Sequence, residues 1–246
     1  MNKLKGLLFD VGGILLTIDY GILAAEARNV VKGESPSFSH FNKAEKMSRP
    51  KLDDYLKTAT SESSNTRRNF MTDIWSTAWS LAKLEAPGEP CFIEWAKRIE
   101  EMHERINLWR KAPLDAHRAL TKLSEEGYVL GVVSNADGRV AGLLAESDLA
   151  KYFKVILDSH IEGIEKPNPE IFKRALERLE LQAEETIFLG DFYSVDVVGA
   201  RRAGLGAALM DPLKCWHVDD VPKVQSLTDY AERVSEIANS KPSPWV

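Results

Sequence analysis

Leu7-Leu8-Phe9-Asp10-Val11-Gly12-Gly13-Ile14-Leu15 decides how the rest of the chain is read. An apolar run that stops at an acid and then at paired glycines describes a buried strand delivering a carboxylate to an open loop. Glycine lets the backbone turn tightly there and lets a ligand come close. Far downstream, Thr186-Ile187-Phe188-Leu189-Gly190-Asp191 repeats the design, and Asp196 follows five residues later. Two strands that each present an aspartate at the carboxyl end point to a divalent-cation site, because hard cations take oxygen ligands.

From about Pro113 onward, helix and strand patterns alternate. Pro113–Glu126 reads as a helix with a glycine stop at Gly127, and Tyr128–Val133 as a short buried strand. A helix over Val140–Ser147, a strand over Phe153–Leu157 and a helix over Pro169–Leu179 follow, then a strand over Thr186–Leu189. A helix from Val195 to Ala203, a strand over Gly206–Met210 and a closing helix over Leu227–Ala238 complete the pattern. Such alternation predicts a parallel sheet covered by helices, with ligands beyond the carboxyl ends of its strands. Asp10, Ser134 and Asp191 all fall there.

The stretch from about Thr17 to Ala112 is helix-like throughout, with Tyr20–Lys32, Asn65–Leu84 and Cys91–Arg105 the clearest helices. Trp75, Trp79, Trp95 and Trp109 lie in it and are expected to form the core of a small helical bundle, the sharper alternative being a substrate wall. With 246 residues the chain can hold a core plus an inserted module, and its net charge of −5 argues against a general nucleic-acid binder. Cys91 and Cys215 lack metal-ligand spacing, Met1–Gly6 runs into the first strand without an apolar leader, and no segment has the apolar length of a membrane span. A cytoplasmic protein without nucleic-acid or membrane partners is expected.

Four pieces stand in order: Asp10 after the first strand, Val133-Ser134-Asn135, Lys166-Pro167-Asn168-Pro169-Glu170-Ile171-Phe172, and Gly190-Asp191 with Asp196. Each alone is weak. Together they resemble the haloacid dehalogenase superfamily, in the group with a helical cap inserted between the first and second motifs. The resemblance implies a doubly wound, Rossmann-like α/β core over residues 1–16 and 113–246 and an α-helical cap over 17–112. It also implies a Mg²⁺-dependent phosphatase, monomeric or homodimeric, acting on a small phosphorylated metabolite. Asp10 would attack phosphorus and form an aspartyl-phosphate that water hydrolyses. Mg²⁺ would be held by Asp10, the backbone carbonyl of Gly12 and Asp191, with Asp196 orienting the metal's water ligands or else capping a helix that begins near Val195. Lys166 and Ser134 would bind the phosphoryl oxygens, Lys166 restraining Asp10 as well. Asn135 could touch phosphate or cap-side substrate, a turn-forming role being the alternative.

The chain departs from that pattern in one chemically important place. Family phosphatases usually carry a second Asp, the general acid/base for the leaving group, where this chain has Gly12, and Ile14 stands where Thr is usual. A backbone carbonyl remains for a metal, but a proton donor worth about 10²–10⁴-fold is gone. The enzyme would then favour leaving groups that need little protonation, such as acyl, aryl or anomeric sugar phosphates, or borrow an acid from His40, Glu34 or His103. A dehalogenase-type hydrolase is opposed by the intact Gly190-Asp191, and a phosphonate-cleaving one would need a cap lysine such as Lys32 or Lys43 that no pattern singles out. A non-enzymatic binding protein is favoured by Gly12 and opposed by the clustered acids facing a lysine.

Overall fold

The computed structural model describes residues 4–57 and 64–239. The outermost residues of the expected core, 1–3 and 240–246, lie outside it. In chain order the elements begin with β1 (Gly6–Phe9), β2 (Thr17–Ile18), α1 (Tyr20–Val30), α2 (Phe38–Leu56), α3 (Ser64–Leu81), α4 (Glu89–Ile106) and β3 (Trp109–Lys111). They continue with α5 (Ala116–Glu125), β4 (Val129–Ser134), α6 (Val140–Glu146), β5 (Val155–Asp158), α7 (Ser159–Glu162) and α8 (Pro169–Leu179). Last come β6 (Thr186–Gly190), α9 (Val198–Arg202), β7 (Gly206–Met210), β8 (Lys223–Val224) and α10 (Leu227–Asn239). The chain divides into two compact units, Met1–Thr17 with Lys111–Val246, and Ile18–Arg110.

The first unit is an α/β domain around a six-stranded sheet of order β5-β4-β1-β6-β7-β8, every pairing parallel. Its strands are apolar on both faces, and period two sorts them into two layers. Leu7, Phe9, Leu130, Val132, Ile187 and Leu189 pack with Leu120 and Leu123 of α5 and with Tyr230 and Val234 of α10. Leu8, Val133, Phe188 and Leu209 pack on the other face with Ile171, Phe172, Ala175 and Leu176 of α8. Each fully buried large apolar side chain contributes about 1.5–3 kcal/mol. Helix α8 starts where the sequence says it should: Asn168 caps it by accepting from Glu170 N at 3.0 Å, and Pro169 occupies the first turn.

The second unit is helical. Trp75, Trp79 and Trp95 are buried in its core, with Trp75 and Trp95 ring centroids 4.7 Å apart and Phe41 stacked on Trp95 at 5.7 Å. Trp95 Nε1 donates to Leu23 O at 3.1 Å, so the indole keeps its polar atom satisfied while buried. Three of the four tryptophans are core residues, whereas Trp109 is half-buried and borders an apolar cavity of about 510 Å³ within this unit. Helix α2 runs through Pro50 and buries an ion pair: Arg49 donates to Glu45 at 2.8 and 3.0 Å, and the Tyr20 hydroxyl adds a bond at 2.9 Å. Among the described residues, no helix is long and apolar enough to cross a membrane.

Two stability outcomes follow. Removing one member of a buried pair leaves the other charge desolvated, so Glu45→Ala should cost about 3–5 kcal/mol in urea unfolding. A change below about 1 kcal/mol would contradict this description. Tyr230 is the opposite case: its hydroxyl is buried with no hydrogen-bond partner among the described residues, and burial pushes its ionisation well above the usual phenol range. Tyr230→Phe should therefore be neutral or stabilise by up to about 1 kcal/mol at neutral pH. Above about pH 10 the unfolded chain loses a phenol proton that the folded chain retains, so native stability falls as pH rises. The phenylalanine variant should lack that share of the alkaline loss, and parallel curves for the two proteins between pH 9 and pH 11 would refute it.

Candidate active site

Register places the acids. Phe9 pairs with Val132 on one side and Leu189 on the other, so Ser134 and Asp191 each lie two residues beyond the last rung that flanks Asp10. All three strand ends open on the same edge of the sheet, where its strand order reverses around β1. Asp10 N donates to Leu189 O at 2.9 Å, extending the ladder by one bond before the chain leaves it. The next residues, Val11–Leu16, wind into a tight turn in which Gly13 has φ +74°, a conformation that favours glycine, whereas Gly12 is not among the positive-φ residues.

Lys166 arrives from the loop before α8 and is buried to 3 % exposure. Its ammonium donates to Asp10 Oδ1 and to Asp196 Oδ1, both at 2.7 Å, and stands 5.0 Å from the centroid of the Phe188 ring. Burial would lower the Lys166 pKa, but the charges of Asp10 and Asp196 outweigh it, and the ammonium stays protonated well above the usual lysine range. Burial raises the Asp10 carboxyl above the usual carboxylate range, Lys166 pulling against the rise and Asp196 adding to it.

Asp196 departs from the helix-capping alternative. The segment expected as one helix from Val195 is a π turn, Tyr193–Val197, followed by α9, and Asp196 lies inside the turn. Its Oδ2 reaches back to accept from Asp191 N at 3.0 Å and Phe192 N at 2.9 Å, fixing the loop that carries Asp191. Gly190 makes this possible, since a Cβ there would overlap the Asp196 side chain. One carboxylate oxygen from each of Asp10, Asp191 and Asp196 lies within 4.8 Å of the others, and all three residues are buried. Hard cations such as Mg²⁺ take oxygen ligands, so the carboxylates of Asp10 and Asp191 suit such an ion, while both Asp196 oxygens are already engaged by Lys166 and the Asp191 loop. Ionised, three carboxylates set against the one Lys166 ammonium leave a net charge of −2, which a divalent ion balances.

Ser134 is buried at the end of β4. The Asn135 side chain is bonded to the main chain of Lys166, a pairing for which the sequence carries no signal. Neighbouring polar residues and the two candidate histidines of the helical unit have structural partners. His40 accepts from Ser37 N at 3.1 Å and caps α2, His103 accepts from Leu108 N at 3.3 Å, and the Tyr193 hydroxyl donates to Asp220 at 2.6 Å. Glu34, Lys32 and Lys43 are exposed. His160 donates its backbone N–H to Asp158 at 3.0 Å.

The sheet thus gathers three carboxylates and a lysine at its carboxyl edge, and similarity to known proteins identifies the chain as a hydrolase. The model of the haloacid dehalogenase-like hydrolases matches residues 4–204. The chain belongs to that family. It is 26 % identical over 207 residues to the glyceraldehyde 3-phosphate phosphatase of Pyrococcus furiosus, covering 83 % of this chain and 80 % of that protein. Haloacid dehalogenase-like hydrolase domain-containing protein 3 of Xenopus laevis is 24 % identical over 215 residues, 86 % of this chain and 80 % of that one. Among solved structures, the magnesium-bound HAD-hydrolase YfnB of Bacillus subtilis shares the fold, with a TM-score of 0.59 and 24 % identity over 97 % of this chain and 100 % of that one.

The close approach at Gly190 gives a direct test. Gly190→Ala must displace Asp196 from Lys166 and from the Asp191 loop. A displacement of about 1 Å costs roughly 10²-fold in hydrolase kcat/KM. Full activity in a folded Gly190→Ala protein would show that the Asp196 contacts are dispensable.

Proposed function

We propose that the protein is a Mg²⁺-dependent phosphatase of small phosphorylated metabolites that works through an aspartyl-phosphate on Asp10. The observation that carries this reading is the Lys166 ammonium bonded to Asp10 at 2.7 Å beside the buried group Asp10, Asp191 and Asp196. Phosphoryl transfer demands positioning and charge neutralisation, and this arrangement offers both. Asp10 Oδ1 is held by Lys166, which fixes the carboxylate in one orientation for attack. In the attack an Asp10 oxygen bonds to phosphorus as the ester P–O bond breaks, and water later hydrolyses the acyl phosphate.

Asp10, Asp191 and the Gly12 carbonyl would hold Mg²⁺, with Asp196 restraining the loop rather than binding the ion directly. The bound ion supplies charge neutralisation of the phosphate dianion and favours the ionised form of Asp10. Lys166 and the Ser134 hydroxyl would bind phosphoryl oxygens. The name of the Pyrococcus relative supports a phosphate monoester as the substrate class.

Gly12 leaves the leaving-group oxygen without the usual carboxylic acid, so aryl and acyl phosphates should outperform alkyl ones. The experiment is Mg²⁺-dependent turnover of an aryl phosphate by the native chain and by Asp10→Asn, the variant being expected to lose all of it. Equal activity in the two proteins would favour a binding protein instead. Backbone conformation does not require glycine at position 12, so Gly12→Asp should fold and raise alkyl phosphate hydrolysis by about 10²-fold or more. An unchanged or lower rate would refute the missing-acid argument.

A further inference from the structure

Asn135, the residue after β4, uses its side chain on another segment's backbone. Its Oδ1 accepts from Lys166 N at 2.7 Å and its Nδ2 donates to Lys166 O at 2.9 Å. The amide oxygen and one N–H are thus spent on a single residue's main chain. The two bonds also fix which way the amide faces, because a flip would set NH₂ against N–H and oxygen against oxygen.

What the clasp holds is the root of the Lys166 side chain. A lysine side chain has four rotatable carbons, and its tip stays between two carboxylates only if its Cα is fixed. On the downstream side, the Asn168 cap and Pro169 fix the chain as it enters α8. On its own peptide groups, Lys166 is fixed by Asn135, which β4 delivers from the neighbouring strand of the sheet.

We propose that Asn135 is a positioning residue that acts through Lys166, holding the ammonium against Asp10 and Asp196, and that it is not a ligand of the phosphoryl group. This rests on the phosphatase reading given above and deepens it at the same site.

A double-mutant cycle tests it with the Mg²⁺-loaded full chain and p-nitrophenyl phosphate as the probe. Asn135→Ala should lower kcat/KM by about 10²-fold in the native background. With Lys166→Met already present, the same change should cost less than about twofold, since the group it positions is gone. The dissociation constant of inorganic phosphate, measured by calorimetry in all four proteins, should show the same coupling and needs no turnover. Equal fold losses in both backgrounds would overturn the proposal and make Asn135 an independent ligand or a general structural residue. Should Asn135→Ala fail to fold, Asn135→Asp gives the cycle instead: it keeps the acceptor for Lys166 N and sets a carboxylate oxygen against Lys166 O. Asp10→Asn, run in parallel, separates the two failures. Turnover surviving in that variant sinks the phosphatase reading, whereas its loss together with additive Asn135 and Lys166 effects sinks only the clasp.

Discussion

One ammonium shared by two buried carboxylates sets the terms for the rest of this molecule. Lys166 lies 2.7 Å from both Asp10 and Asp196, and its charge offsets part of the cost of burying the Asp10 carboxyl, which burial pushes upward. Charges are costly to bury, and a buried pair is weak grounds for expecting stability. Such a cluster is retained where chemistry uses it, and a carboxylate held rigidly beside a cation is the form a nucleophile toward phosphorus requires.

The fold is arranged to make that contact reproducible. Parallel pairing in register brings β1, β4 and β6 to one edge, and the direct pairing of β1 with β6 makes acids separated by about 180 residues in sequence meet. Two apolar layers lock the strands: Phe9 meets the Tyr230 ring edge-on at 5.8 Å on one face, and Phe172 meets Phe188 at 5.0 Å on the other. The second of these pairs also lies beneath Lys166, which joins core packing to the site. The π turn after Asp191 then brings Asp196 back over Gly190 to tie its own loop. An extra residue in a helical turn is a recurring device for re-aiming a functional side chain.

Much of this was legible from sequence, and the reasons are physical. Long apolar runs ending in Asp10 or Gly190-Asp191 carry their strand signal and their chemistry in the same few residues. Helix α8, Pro169–Leu179, was readable to the residue because Asn168 and Pro169 mark its start and its apolar spacing is regular. Short elements were not. The two-residue strands Thr17–Ile18 and Lys223–Val224 are too brief to show a period, and Pro50 argues locally against α2, which tertiary packing sustains. The wound segment around Asp196 has the pattern of ordinary helix, because a π turn has no composition of its own. Asn135 and Lys166 are joined by side chain to main chain across 31 residues, a contact that no spacing rule encodes.

The central claim is that Asp10 takes a phosphoryl group onto itself. Rapid acid quench during turnover of an aryl phosphate with Mg²⁺, followed by peptide mass spectrometry, tests it most directly. The account predicts a mass gain of one phosphoryl group on the peptide containing Asp10, labile to hydroxylamine as an acyl phosphate is. Turnover without any covalent adduct at that residue, or with the adduct on another side chain, would contradict it.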